Sequence, residues 1–236
     1  MDVLHLNNTK TLRKMNYQKI EQRSQEWWML KVGKVSGTRY GQLISSRENM
    51  LIDEMANEIM DKHVEWDDFE NEDMIFGNEN EPIAIDKYEK VSGLKFESGG
   101  VIISETLPSL HMASPDAINL EKRIVVEVKC TMHGKTQINR YRNGIDTKYL
   151  PQVLNYFAVS PEVEEVHWIS YCPFRPEREL VILKFTRNTV IESKETKKDG
   201  LVVVTIQDKI NEGAIKLQKL EKDLNELINN FKQLEF

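Results

Sequence analysis

Glu127 and Lys129 stand two residues apart in the run Ile124-Val125-Val126-Glu127-Val128-Lys129-Cys130, whose other members are β-branched or apolar. Alternate residues of a strand share a face, so these two charges project together, about 6.6 Å apart at about 3.3 Å per residue. Charges on one face of an otherwise apolar strand call for a partner or an ion. Upstream, Ser114-Pro115-Asp116 adds a carboxylate beside a proline that forces an extended or turned backbone, so Asp116 can be aimed at the same spot. Two carboxylates supply the hard oxygen ligands that Mg²⁺ or Mn²⁺ takes. A lysine beside them is a compact cation suited to a phosphate or an attacking water. The chemistry spelled out is metal-dependent cleavage of a phosphodiester. A lone Glu-x-Lys pair is more often a solvated face; the upstream Asp116 and the apolar opposite face single this one out.

The elements that must position these residues follow from periodicity and punctuation. Ser24 is a helix cap before Trp27, Trp28 and Leu30, and Gly33 ends that helix. Val35-Ser36-Gly37-Thr38-Arg39 opens a second helix, where a hydroxyl in a glycine-containing turn at the N-terminus can hold a phosphate, with Lys31 and Arg39 on either side. An ordinary cap is the bland alternative. Residues 50–63 read as an amphipathic helix, 66–73 as an acidic loop, and 79–90 as a helix with Glu81 at its start. A strand is expected over 101–104. Residues 131–147 are polar and basic (Lys135, Arg140, Arg142), and 149–159 form a helix carrying Gln152, Tyr156 and Phe157. Strands over 166–171 and 180–185 follow, then a hairpin pairing 189–192 with 201–206 through Asp199-Gly200. Leu217, Leu220, Leu224, Leu227, Phe231 and Leu234 mark a closing helix, used for core packing or for a subunit contact. Helices, a strand meander, a helix, more strands and a last helix imply an α/β (α+β) fold with a mixed sheet flanked by helices.

With 236 residues the chain has enough material for one substantial domain, here residues 23–236, preceded by a basic N-terminal arm over 1–22 with a short helix. The net charge of −6 excludes a uniformly basic DNA-coating protein. The charge is nonetheless segregated: 10–39 and 129–148 are basic and 48–89 is acidic. Only Cys130 and Cys172 are present, which suits a reducing compartment and excludes a four-cysteine cluster. The five histidines lack metal-ligand spacing. Gly134-Lys135-Thr136 looks like the tail of a phosphate-binding P-loop, but Lys129 stands where its first glycine belongs, so no ATPase is supported. No apolar run approaches the roughly 18 residues of a membrane span, and the polar start is no signal peptide. The expected location is the cytoplasm of a bacterial or phage-infected cell.

Collected in order, these segments resemble the phage-type recombination exonucleases of the lambda exonuclease or YqaJ family, within the PD-(D/E)xK nucleases. Ser114-Pro115-Asp116 with Glu127-Val128-Lys129-Cys130 is similar to that family's central motif. Trp27 to Lys31 with Gly33 to Arg39 is similar to its N-terminal signature, with Lys31 where arginine is usual and Thr38 where serine is. Gly77-x-x-x-Glu81 resembles its helix-borne acidic residue, and Tyr149-x-x-Gln152-Val153 its late glutamine motif; a second glutamine common there is Leu154 here. The likeness spans about 27–159, and 188–200 has no counterpart.

The resemblance implies a restriction-endonuclease-like sheet and a site for two Mg²⁺ ions, replaceable by Mn²⁺. Asp116, Glu127, the Val128 carbonyl and Glu81 would be the ligands. Lys129 would orient or activate water, and Gln152 would hold that water or a phosphate oxygen. Lys31, Thr38 and Ser114, with Arg39 nearby, would receive a terminal 5′-phosphate, and Lys135, Arg140 and Arg142 would line the DNA. The implied activity is 5′→3′ digestion of linear duplex DNA. Duplex ends are the implied partner, a single-strand annealing protein a further candidate, and a ring-shaped homotrimer the candidate assembly. An endonuclease on the same core, restriction-like or structure-specific, is the alternative. A DNA-end-binding module with residual activity is disfavoured by the intact Asp116, Glu127 and Lys129.

Overall fold

A computed structural model describes residues 14–45, 48–63, 71–196 and 200–233. The basic arm up to residue 13, most of the acidic loop and the turn of the expected hairpin therefore lie outside the described residues. From residue 14 the expected arm is built into the domain. In place of a short helix, Tyr17–Gln18 (β1) pairs with Val101–Ile103 (β3), and Met15 and Ile20 are buried.

Helices Gln25–Lys31 (α1), Gly37–Ile44 (α2), Glu48–Asp61 (α3) and Glu72–Ser92 (α4) come first. The strands Glu97–Ser98 (β2), β3, Met112–Ala113 (β4), Ala117–Asn119 (β5) and Ile124–Cys130 (β6) follow. Helix Gly134–Asn143 (α5) and a short 3₁₀ turn lead to Leu150–Val159 (α6) and the strands Glu165–Tyr171 (β7) and Leu180–Phe185 (β8). A hairpin of Val190–Thr196 (β9) and Gly200–Thr205 (β10) precedes Ile206–Gln233 (α7).

The main sheet has the order β2-β5-β6-β7-β8, with β6 and β7 parallel and the other neighbours antiparallel. β6 is its centre, and the alternation of its side chains divides the molecule. Val126 and Val128 pack with Ile169 and Tyr171 against Ala84, Ile85 and Tyr88 of α4. Val125 packs on the opposite face with Trp168 against Leu154 and Phe157 of α6. A strand covered on both sides reads as a nearly continuous β-branched run, which is why its limits were legible.

Two features place the rest of the site. β5 pairs with β6 only from Ala117↔Val126 onward, so the last residues of β6 have no strand along that edge. A small sheet β1-β3-β4 carries the chain into Ser114-Pro115-Asp116 at this open edge. A parallel bridge between Val35 and His111, with Met112 N–H donating to the Val35 carbonyl at 3.0 Å, pins the α1–α2 loop beside β4. At the C-terminus, Leu217, Leu220, Leu224 and Ile228 of α7 are buried, while Phe231 is 61% exposed. The seam therefore packs the core through its first three leucines and then passes to Ile228; Leu234 lies outside the described residues.

Candidate active site

The open edge of β6 is closed by a side chain. Asp116 N–H donates to the Val126 carbonyl at 3.2 Å, and its Oδ2 accepts the Val128 N–H at 2.7 Å, so the carboxylate continues the ladder where β5 stops. N–H and C=O of one strand residue point to the same edge, which aims the Val128 carbonyl at the same space. Glu127 is buried on the α6 face. Lys129 Nζ donates to its Oε1, and the Tyr156 hydroxyl donates to its Oε2 while lying 3.1 Å from the Ser114 carbonyl. Glu81 arrives from α4, anchored by Ala84, Ile85 and Tyr88 and fixed in rotation by the Tyr88 hydroxyl on His167 Nδ1. The sequence placed Glu81 at a helix start; the structure puts it mid-helix, because α4 begins at Glu72 and continues through Pro82.

Glu81, Asp116, Val128 and Lys129 line one cavity of about 530 Å³, together with Gln22, Arg23, Gly77, Cys130, His133, Lys148 and Tyr149. Its electrostatics are those of crowded carboxylates away from water. Burial, then the charges of Glu127 and Glu81, push Asp116 well above the usual carboxylate range. Burial and Glu127 likewise raise Glu81. The Cys130 thiol is pushed up to about 12 by burial and by the same acids. Lys129, next to Glu127 and Asp116, is held cationic, with its pKa above the ordinary lysine value despite its burial. Glu81, Asp116 and Glu127 crowd around the Lys129 ammonium, and with the Val128 carbonyl they offer hard oxygens. That set fits Mg²⁺ or Mn²⁺. Among the described residues no three His, Cys, Asp or Glu side chains are drawn together into a finished metal shell. Lys129 and Tyr156 meanwhile occupy one lone pair on each oxygen of Glu127.

A second cavity, of about 130 Å³, is lined by Trp27, Lys31, Ser36, Gly37, Thr38, Met112, Ser114, Gln152, Asn155 and Tyr156. The N-terminus of α2 and α6 meet here because Gly37 has no side chain: a Cβ would stand 3.2 Å from Gln152 Cγ. Gln152 thus lines this cavity and not the carboxylate one. Lys31 Nζ lies 4.2 and 4.8 Å from the ring centres of Trp27 and Trp28, and burial and Arg39 lower its pKa to about 8.

Three residues expected to face substrate have other work. Both guanidinium nitrogens of Arg39 are on the Glu58 carboxylate, whose Oε2 also accepts the Gly33 N–H at 2.9 Å; this pair braces the α1–α2 loop. The Ser114 hydroxyl donates to the Gly100 carbonyl at 3.1 Å and accepts from Trp27 Nε1 at 2.8 Å, so its proton is already committed. Arg140 is only 4% exposed, bonded to the Lys129 carbonyl, the Ser170 hydroxyl and the Asp146 carboxylate. It supports the end of β6 from behind. Lys135 and Lys148 remain exposed along an open groove with Thr136 and Asn139, and Arg142 is exposed at the end of α5.

Tyr156, read from the sequence only as a residue carried by the 149–159 helix, lies one helical turn beyond Gln152 and holds Glu127. Gln22 and Arg23 were missed: Gln22 Nε2 donates to the Pro115 carbonyl at 2.9 Å and Arg23 Nη2 to Asn78 at 2.6 Å, which makes the start of the domain a wall of the site. Their only signal was membership of a basic stretch.

A mixed sheet with helices on both faces, its central strand bearing Glu127 and Lys129, is the restriction-endonuclease-like fold. Among solved structures the chain is similar to an alkaline exonuclease (LHK-Exo) from Laribacter hongkongensis, 20% identical, with a TM-score of 0.72 over 89% of this chain and 97% of that one. That exonuclease in complex with dAMP gives a TM-score of 0.71 over the same shares. A phage related exonuclease from Haemophilus somnus 129PT, 14% identical, gives 0.52 over 84% and 96%. At these identities the likeness is one of fold. Residues 26–162 match the YqaJ-like viral recombinase domain, and the chain belongs to that family. No curated protein matches the chain significantly. Among the described residues no helix is long and apolar enough to cross a membrane.

Proposed function

We propose that this protein is a Mg²⁺-dependent exonuclease of phage-type recombination that digests one strand of linear duplex DNA from its 5′-phosphorylated end. The observation that carries the reading is the convergence of Asp116, Glu81 and Lys129 on one cavity, with Glu127 behind Lys129 and a second, cation-bearing cavity lined by Tyr156, whose hydroxyl donates to Glu127. Family membership and the fold of the exonucleases support it.

Asp116, Glu127, the Val128 carbonyl and Glu81 are the groups that would hold Mg²⁺, with Mn²⁺ as a substitute and two ions as the full complement. When bound, such ions polarise the phosphodiester and stabilise the charge on its attacking and leaving oxygens. The chain's own residues do the rest. Lys129, held cationic, orients water and balances charge developing on the phosphate; a protonated ammonium is not the proton acceptor. Tyr156 holds Glu127 in place. In the second cavity Lys31 and the start of α2 at Gly37 and Thr38 receive a terminal phosphate, with Gln152 beside them. That contact fixes which phosphodiester lies over the carboxylates. Lys135, Lys148 and Arg142 meet the flanking backbone. A ring-shaped homotrimer and a single-strand annealing partner belong to the same reading, as does a cytoplasmic site of action.

Digestion of linear against covalently closed circular duplex in Mg²⁺ tests the reading. Loss of the linear form only, faster with 5′-phosphate than with 5′-hydroxyl, is expected. Cutting of closed circles at equal rate would replace it with the endonuclease.

A further inference from the structure

Gly77 lies inside the 21-residue helix α4, where glycine is among the least favourable residues. A glycine at such a place normally has a neighbour that excludes a side chain or a backbone that requires its freedom. Among the glycines whose surroundings are described, Gly37, Gly41, Gly134 and Gly213 stand against Gln152, Pro151, Arg175 and Tyr40. The others, Gly77 apart, have positive φ. At Gly77 the φ is helical and a Cβ would meet no atom within 4 Å. Nothing in the fold asks for glycine there.

The cavity does. Asp73, Gly77 and Glu81 recur every fourth residue and line it together, so Gly77 is a notch between two acidic side chains, one turn before Glu81. Lys129, His133 and Lys148 also line it. Beside the notch Arg23 is bonded to Asn78. Resting on the function proposed above, we infer that the strand being cut crosses α4 at Gly77, packed on the bare helical turn. Asp73 on one side of the notch repels a phosphate, and Glu81 on the other would be engaged by the cation it holds, so the part of the strand seated on the bare turn is the neutral deoxyribose edge, and its phosphates turn toward the cations. Gly77 is therefore a clearance residue that sets how close the strand comes to Glu81.

The test uses the full chain with Gly77→Ala and Gly77→Leu, both strong helix formers. With no atom outside its own helical turn within 4 Å of the added Cβ, the Ala variant should melt at or above the temperature of the unaltered protein, and the Leu variant should remain folded at the assay temperature. Their affinity for linear 5′-phosphorylated duplex, read by fluorescence anisotropy in Ca²⁺, should fall in the order Ala then Leu. The Leu variant should lose about tenfold or more, the scale of an overpacked contact, with Mn²⁺ binding by calorimetry unchanged. A Gly77→Leu chain that binds duplex within about twofold of the unaltered protein, by the same affinity scale, overturns the inference. A lowered melting temperature in both variants does so too, by showing a packing role. If the unaltered protein neither binds nor digests linear duplex, the functional reading falls and this inference with it.

Discussion

Removing Arg39 separates bracing from binding. Its side chain is 18% exposed and that of Glu58 9%, and both guanidinium nitrogens rest on the carboxylate. Two unit charges about 4 Å apart attract by about 4 kcal/mol at an effective dielectric of about 20. Arg39→Ala removes that and strands Glu58 away from water, a change that typically costs about 3–5 kcal/mol. At a urea slope of about 2–3 kcal/mol per M the midpoint should fall by about 1–2.5 M. Arg39→Met with Glu58→Leu removes the stranded charge and should recover part of the loss. It leaves the Gly33 N–H without its acceptor, which retains about 1–3 kcal/mol of the cost. Function should follow the brace: the single variant, assayed where it is still folded, should lose its preference for 5′-phosphate because the loop carrying Gly37 and Thr38 is freed, while basal cleavage persists. A midpoint shifted by less than about 0.3 M, below 1 kcal/mol on that slope, would refute the buried-pair reasoning. A stable variant that lost phosphate preference would return Arg39 to direct contact with the phosphate.

Asp116→Ala or Glu127→Ala should abolish cleavage in Mg²⁺ with the fold retained and duplex still bound, since each removes one of several crowded carboxylates; full cleavage by either, measured on linear duplex, would refute the site. Tyr156→Phe should weaken Mn²⁺ binding by about 10–100-fold in calorimetry, because it frees an oxygen of Glu127, and an unchanged titration would make the contact incidental. Lys31 carries its charge only below about pH 8, so the ratio of kcat/KM for 5′-phosphate over 5′-hydroxyl ends should be high below that pH and decline as pH rises through it. A ratio that is flat from pH 7 to 10, a window spanning that titration, would place the phosphate on another group. Lys135→Ala, Arg142→Ala and Lys148→Ala should each flatten the salt dependence of duplex binding by about one contact's worth, whereas Arg140→Ala should lower the melting temperature first. Equal behaviour of all four in a salt titration would show that Arg140 reaches the DNA.

What could be read from the sequence was whatever a local period encodes. β6 was placed at its observed ends because a strand covered on both faces is β-branched almost throughout, and Glu127 with Lys129 broke that pattern in register. α5 was not recognised, because its inward positions are Gln137 and Arg140, which hold the chain by hydrogen bonds to strand carbonyls and the Ser170 hydroxyl and leave no apolar stripe. The helix expected from 79, just after Gly77, begins instead at Glu72 and contains both Gly77 and Pro82. The helix runs through both because Ala84, Ile85 and Tyr88 are clamped to the sheet, and that packing outweighs one missing N–H. The same limit governs the charges. Arg39, Arg140 and Lys135 are equivalent as letters in a basic segment, and what distinguishes them is a partner far along the chain: Glu58 for Arg39, Ser170 for Arg140. A buried polar group must be satisfied, so folding claims such cations before a substrate can. The side chains left to meet DNA are those that folding did not need, and only the tertiary contacts reveal which they are.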